Sequence, residues 1–183
     1  MNMHPAIQDP VNMQAPLSAF SQCHSAIVTQ LHMLNTLPAM LSVAEQARHV
    51  AADTLSLFHH AVLEHHQEEE SELFPAVLKS AQEGVEREWV QAMVERLTSE
   101  HRTLEAMWKH LEPAVQSAAR GKPAQLDGAL TEELVRAYLD HAFVEEQEFL
   151  PLCEKILGRK GEHMAALGLS LHIRHLPPPP GYI

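Results

Sequence analysis

Apolar residues recur along this chain at alternating three- and four-residue spacings, in four stretches that each read as an amphipathic helix. The first stripe carries Leu17, Phe20, Ile27, Leu31 and Leu34, and the third carries Val94, Leu97, Leu104, Trp108 and Leu111. Every member of the first pairs with a member of the third at an offset of 77 residues. The second stripe (Leu55, Phe58, Val62, Leu73, Ala76) pairs in the same way with Thr131, Leu134, Tyr138, Phe149 and Leu152 at an offset of 76. A repeated helical hairpin is the simplest source of such a pattern.

Prolines and glycines punctuate the stripes. The first helix is expected over about 18–38, ending at Pro38. The second runs over about 43–80, with a kink at Pro75, and the third over about 85–119, with a kink at Pro113. Gly121-Lys122-Pro123 stops the third, and the fourth runs over about 126–157 until Gly158. The predicted fold is all-α, an up-and-down antiparallel four-helix bundle followed by a short C-terminal helix over about 162–171. The run Pro177–Pro180 ends the chain in an extended tail. The domain reading is therefore a loose tail over 1–16, the bundle over 17–158, and a short helix with a proline-rich tail over 159–183.

Six polar residues interrupt the apolar stripes: His24, His65, Glu69, His101, His141 and Glu145. His65/Glu69 and His141/Glu145 each place an imidazole and a carboxylate one turn apart on one helix face. Burying an unpaired carboxylate is costly, and metal coordination is one way to keep it. Four imidazoles and two carboxylates suit a pair of borderline-hard ions, iron or manganese. Two imidazoles can hold each ion, and Glu69 and Glu145 can bridge ions roughly 3.5–4 Å apart. That leaves open positions for oxygen, nitric oxide, peroxide or water.

The second helix offers a competing pair, His66/Glu70, at the same spacing. The repeat favours His65/Glu69, because Ala142 stands opposite His66. His66 and Glu70 are accordingly assigned to the flank or solvent side. Glu105, one turn from His101, reads as a surface residue, with a seventh ligand or a hydrogen-bond partner as the alternative, and Tyr138 as a core residue, with a hydrogen-bond donor to a bound oxygen species or a radical site as the alternative.

Composition narrows the function classes. The 183 residues are 45% hydrophobic and 5% aromatic, with a formal net charge of −11. That charge disfavours nucleic acid and anionic membranes as partners. No apolar run approaches a membrane span, and the first ten residues lack a basic-then-apolar pattern, so a soluble, cytoplasmic protein without a signal peptide is expected. Fourteen histidines are many for this length, whereas two cysteines, Cys23 and Cys153, support neither a disulfide framework nor a cysteine zinc site.

The motif His65-x-x-x-Glu69-Glu70-x-x-Leu73-Phe74-Pro75, its echo His141-x-x-x-Glu145-Glu146-x-x-Phe149-Leu150-Pro151, the triplet Glu100-His101-Arg102 and His24 together resemble a hemerythrin-like (HHE cation-binding) domain over about 17–157. The resemblance implies a bundle around a non-haem di-iron centre that binds, senses or reacts with oxygen, nitric oxide or peroxide. The oxygen-carrying members place a second histidine where this chain has Glu105, and a carboxylate five rather than four residues past the last histidine. The set of four histidines and two glutamates is closer to members linked to iron-centre repair. An iron-handling or repair protein is thus the first alternative, and a metal-free helical partner-binding module the second.

Overall fold

A computed structural model describes residues 14–159. The described residues are helical with no strand among them. The helices are α1 (Gln14–Leu57), α2 (Leu63–Glu68), α3 (Phe74–Ser80), α4 (Val85–Ala119), α5 (Gly128–Val144) and α6 (Leu150–Leu157). Three π-helical turns join them where no loop intervenes: Phe58–Val62, Glu69–Leu73 and Glu145–Phe149. The expected 162–171 helix, the proline-rich tail and most of the 1–16 tail lie outside the described residues.

The chain divides into two compact units, 1–46 and 47–183. The described part of the first is a stretch of α1 whose apolar side chains, Ile27, Leu31, Leu34 and Leu37 among them, are exposed. The expected turn between a first and a second helix does not form, and α1 continues through Pro38. The local sequence explains this. Residues 39–43 read Ala-Met-Leu-Ser-Val, with no Gly or Asn to take the left-handed conformation that ends a helix. Pro38 removes one backbone bond, but it is exposed, so water can serve the carbonyl left open.

In the second unit the expected boundaries hold closely. Gly84, at φ 93°, separates α3 from α4, and Gly121, at φ 65°, closes α4; both need the conformational freedom of glycine. The Asp127 carboxylate accepts the Leu130 backbone N–H at 3.0 Å and caps α5. Pro75 and Pro151 do not simply kink their helices. Each follows a π turn, in which Phe74 N–H donates to the Glu69 carbonyl and Leu150 N–H to the Glu145 carbonyl. A π turn inserts one residue per turn and is frequent at functional sites. These two begin at equivalent glutamates of the repeat.

The core of this unit has two apolar clusters. One gathers Leu73, Phe74, Val77, Val90, Leu97 and Phe149. The other gathers Phe58, Val62, Leu104, Trp108, Leu111 and Leu134, with the Phe58 and Trp108 rings stacked at 3.9 Å. Along each of the three helical segments the chain passes from one cluster to the other through a short polar stretch. Those stretches make the site.

Candidate metal centre

On α4 the buried stripe runs Val90, Met93, Leu97, His101, Leu104, Trp108, Leu111, Val115. His101 is its one polar member and has no exposed surface. His66 and Glu69 face it from α2 and the π turn beyond it. His141 and Glu145 face it from the end of α5 and the next π turn. All five are buried. His65 stands beside them, half exposed.

Two sets of three ligand atoms result. Ring nitrogens of His66, His101 and His141 all lie within 4.8 Å of one another, as do atoms of His65, Glu69 and Glu145. The carboxylates reach both sets. Glu69 Oε2 is 3.4 Å from His101 Nε2 and its Oε1 is 3.5 Å from His65 Nε2. Glu145 Oε1 is 3.2 Å from His141 Nε2, and its Oε2 is 3.9 Å from His65 Nε2. These are ion-pair distances without hydrogen-bond alignment. The Nε2 atoms of His66, His101 and His141 and one oxygen each of Glu69 and Glu145 are buried with no hydrogen-bond partner. Buried polar atoms are rarely left so, and five pointing to one place fit a cation.

The outer ring nitrogens are not orphaned. His101 Nδ1 donates to Glu70 Oε1 at 2.8 Å, His141 Nδ1 to Glu100 Oε2 at 3.0 Å, and His66 Nδ1 to Glu105 Oε1 at 3.2 Å. A carboxylate only accepts, so each fixes the proton on Nδ1 and leaves the inward Nε2 lone pair for a metal.

The hemerythrin HHE cation-binding domain profile matches residues 15–153. This chain belongs to that family. The hemerythrin-domain chain is also similar to an uncharacterized protein of Haemophilus influenzae, 27% identical over 158 residues that span 82% of this chain and 88% of the relative. No solved structure matches it.

The electrostatics of this hemerythrin domain suit a site awaiting positive charge. Burial raises the Glu69 carboxyl above its ordinary value, and the Glu145 charge beside it adds to the shift. Burial opposes charge on Glu145 as well, but His101, His141 and His65 outweigh it and hold that carboxyl well below the ordinary range. Burial also works against a charged His101, yet Glu145, Glu69 and Glu70 push it up to about 10. His66, desolvated and stacked on His101, falls to about 4. Burial opposes a charged His141, but Glu145 and Glu100 raise it. His65 is raised chiefly by Glu145. The protein thus neutralises its buried carboxylates with borrowed protons, which a bound cation would displace.

The structure brings together His65, Glu69, His101, His141 and Glu145. His24 is exposed on α1, within the 1–46 unit. The assignment of His66 to the flank is corrected: it is 1% exposed and aims Nε2 inward. The π turn at Phe58–Val62 is the physical reason, because its extra residue rotates α2 and brings His66 rather than His65 into the buried stripe. Glu70, also placed on the flank, holds His101, and Glu105 takes its hydrogen-bonding alternative, with His66 as the partner. The i,i+4 spacings of His66/Glu70 and His101/Glu105 are the signals that could have found them. Tyr138 is half buried, with its ring 6.1 Å from that of His141. Cys23 and Cys153 are both free thiols.

Proposed function

We propose that this protein is a non-haem di-iron-binding protein that binds, senses or reacts with oxygen, nitric oxide or peroxide. The observation that carries the reading is the group of five buried, unpartnered ligand atoms on His66, Glu69, His101, His141 and Glu145. Imidazoles and carboxylates together suit iron, with manganese the nearest substitute. His66, His101 and His141 would hold one ion, and His65, Glu69 and Glu145 the other. Glu69 and Glu145 reach nitrogens of both sets and are the proposed bridges. The repeat register alone offers His24 as a further ligand, which would require α1 to fold back near Pro38 and complete an antiparallel four-helix bundle. When bound, the ions supply redox and Lewis-acid chemistry toward a small ligand. The protein's part is to orient Nε2 atoms through Glu70, Glu100 and Glu105 and to keep Glu69 and Glu145 away from water. Half-exposed His65 marks the side from which a diatomic or peroxide can approach.

Metal analysis of protein purified without air tests the reading. About two irons per chain are expected. A chain that stays metal-free in metal-replete cells removes it and favours a partner-binding module. Exposure of the loaded protein to oxygen then separates the roles. An optical change that reverses on removing oxygen indicates a carrier, and an irreversible one an enzyme or sensor. Transfer of the iron to an apo iron–sulfur acceptor indicates iron handling or repair. No helix of the described residues is long and apolar enough to cross a membrane, and we propose a cytoplasmic location.

A further inference from the structure

Arg102 touches none of the ligand atoms, yet it holds two of the side chains that orient them. Its side chain is 55% exposed, on α4 next to His101. Nη2 donates to Glu70 Oε2, and Nη1 donates to Glu105 Oε2 at 2.7 Å. The other oxygen of Glu70 is the one bonded to His101 Nδ1, and the other oxygen of Glu105 is the one bonded to His66 Nδ1. One guanidinium therefore closes two arms, Arg102–Glu70–His101 and Arg102–Glu105–His66. The two imidazoles at the ends of these arms stack face to face, with centroids 3.9 Å apart and planes 4° from parallel. His141 has a separate arm, in which Glu100 Oε1 accepts from Arg96 Nε at 2.7 Å.

Local structure makes the first arm possible. Glu69 and Glu70 are adjacent, yet Glu69 approaches His101 Nε2 and Glu70 its Nδ1. Neighbours on a regular helix point about 100° apart. These two begin the π turn Glu69–Leu73, whose wider turn lets both carboxylates face one ring.

We propose that Arg102 is a positioning residue for the metal centre, setting the orientation of His66 and His101 through Glu105 and Glu70. The inference rests on the reading that the cluster holds metal. A planar fork with separate N–H groups can grip two carboxylates at fixed angles, which a lysine ammonium cannot. An ion pair this exposed adds little to folding stability, so the effect of the geometry is on orientation. The sign of the effect on affinity discriminates. As a plain positive charge near a cation site, Arg102 repels metal, and its removal tightens binding. As a positioning residue, its removal loosens binding.

The test is Co(II) titration of the full, metal-free chain, monitored by calorimetry and by the visible Co(II) absorption. R102M keeps the apolar stem and loses the fork. It is expected to bind Co(II) about 10- to 100-fold more weakly, the usual effect of losing such a partner, with the melting temperature of the metal-free chain nearly unchanged. R102K is expected to fall between. In an E70Q/E105Q background, R102M is expected to add less than about threefold, because its arms are already cut. Wild-type or tighter affinity for R102M overturns the proposal, as does an undiminished loss in the E70Q/E105Q background. No Co(II) uptake by the wild-type chain overturns the metal reading itself, and this inference with it.

Discussion

His66 and His101 lie face to face at 3.9 Å, buried, with no room for two positive charges. Their proton affinities diverge accordingly. Burial and the His101 charge bring His66 down to about 4. Burial opposes charge on His101 too, but Glu145, Glu69 and Glu70 overcome it and lift that ring to about 10. Between those two values the metal-free pair holds one imidazolium and one neutral ring.

For this pair of rings alone, the divergence puts the stability maximum of the metal-free protein near pH 6.5. His66 binds a proton more readily unfolded, at its ordinary 6.5, than folded. Stability falls as pH drops from about 6.5 toward about 4. His101 has the opposite sign: its contribution is complete below its unfolded value of 6.5 and is lost as pH rises toward about 10. His65 and His141, both raised, add to the alkaline loss. Thermal melts in chelator across this range should show both limbs. H66N should flatten the acid limb and spare the alkaline one; an acid limb unchanged in H66N would refute the assignment.

The same pair orders the expected effects of ligand substitutions. His66 points a buried, unpartnered Nε2 inward, whereas His65 is half exposed with its Nε2 facing the two carboxylates. H66A should weaken metal uptake more than H65A, and by more than the roughly tenfold that loss of an outer partner costs. Competitive titration against a chelator of known affinity would measure both. A larger loss for H65A would restore the register taken from the repeat alone.

The site is legible in the sequence wherever the chain keeps a constant pitch. The α4 stripe from Val90 to Val115 holds 3.6-residue periodicity throughout, so both its boundaries and the central place of His101 can be read directly. The stretch Phe58–Val62 contains no Gly, Pro or other mark of a π turn. Its repeat counterpart, Leu134–Tyr138, lies within regular helix in α5. Carrying the register from one copy to the other assumes equal pitch, and fails by one residue at His65/His66. The partner across a helix interface, as in Glu100 to His141, cannot be read from spacing along one helix. The continuity of α1 through Pro38 is hidden for a different reason: a lone proline reads as a stop, although no helix-ending residue stands in the five that come after it.

His24 enters from the repeat alone, as the counterpart of His101. If α1 folds back near Pro38 on metal loading, H24A should lower metal affinity about tenfold, comparable to the loss of a supporting ligand. H32A, at another exposed histidine of α1, should leave it unchanged. Equal affinities in the two variants would confine the ligand set to residues 65–145.

Leu97 and Leu104 flank His101 by one turn on either side, each almost wholly buried and each in a different apolar cluster. Leu97→Ala should cost about 2–5 kcal/mol, the range for a fully buried leucine whose surroundings relax little. Chemical denaturation of the metal-free protein gives this value directly. A cost below about 1 kcal/mol would mean that the cavity collapses, and that the site does not rest on a rigid floor.

The two thiols offer a check that is independent of any metal. Cys153 is 4% exposed, in the apolar cluster with Phe149 and Ile156. Burial pushes its thiol up to about 12, with the Glu69 and Glu145 charges adding to the shift. The thiolate is the reactive form, so Cys153 should resist a disulfide reagent at neutral pH. Cys23 is exposed on α1 and should react at once. The native chain should therefore show one fast thiol, and the chain in denaturant two. C23S should abolish the fast reaction and leave a slow one whose rate tracks the opening of the core. If Cys153 instead reacts as fast as Cys23 in the native chain, the cluster beneath Glu69 and Glu145 is open to water, and the burial that shifts both carboxylates does not exist.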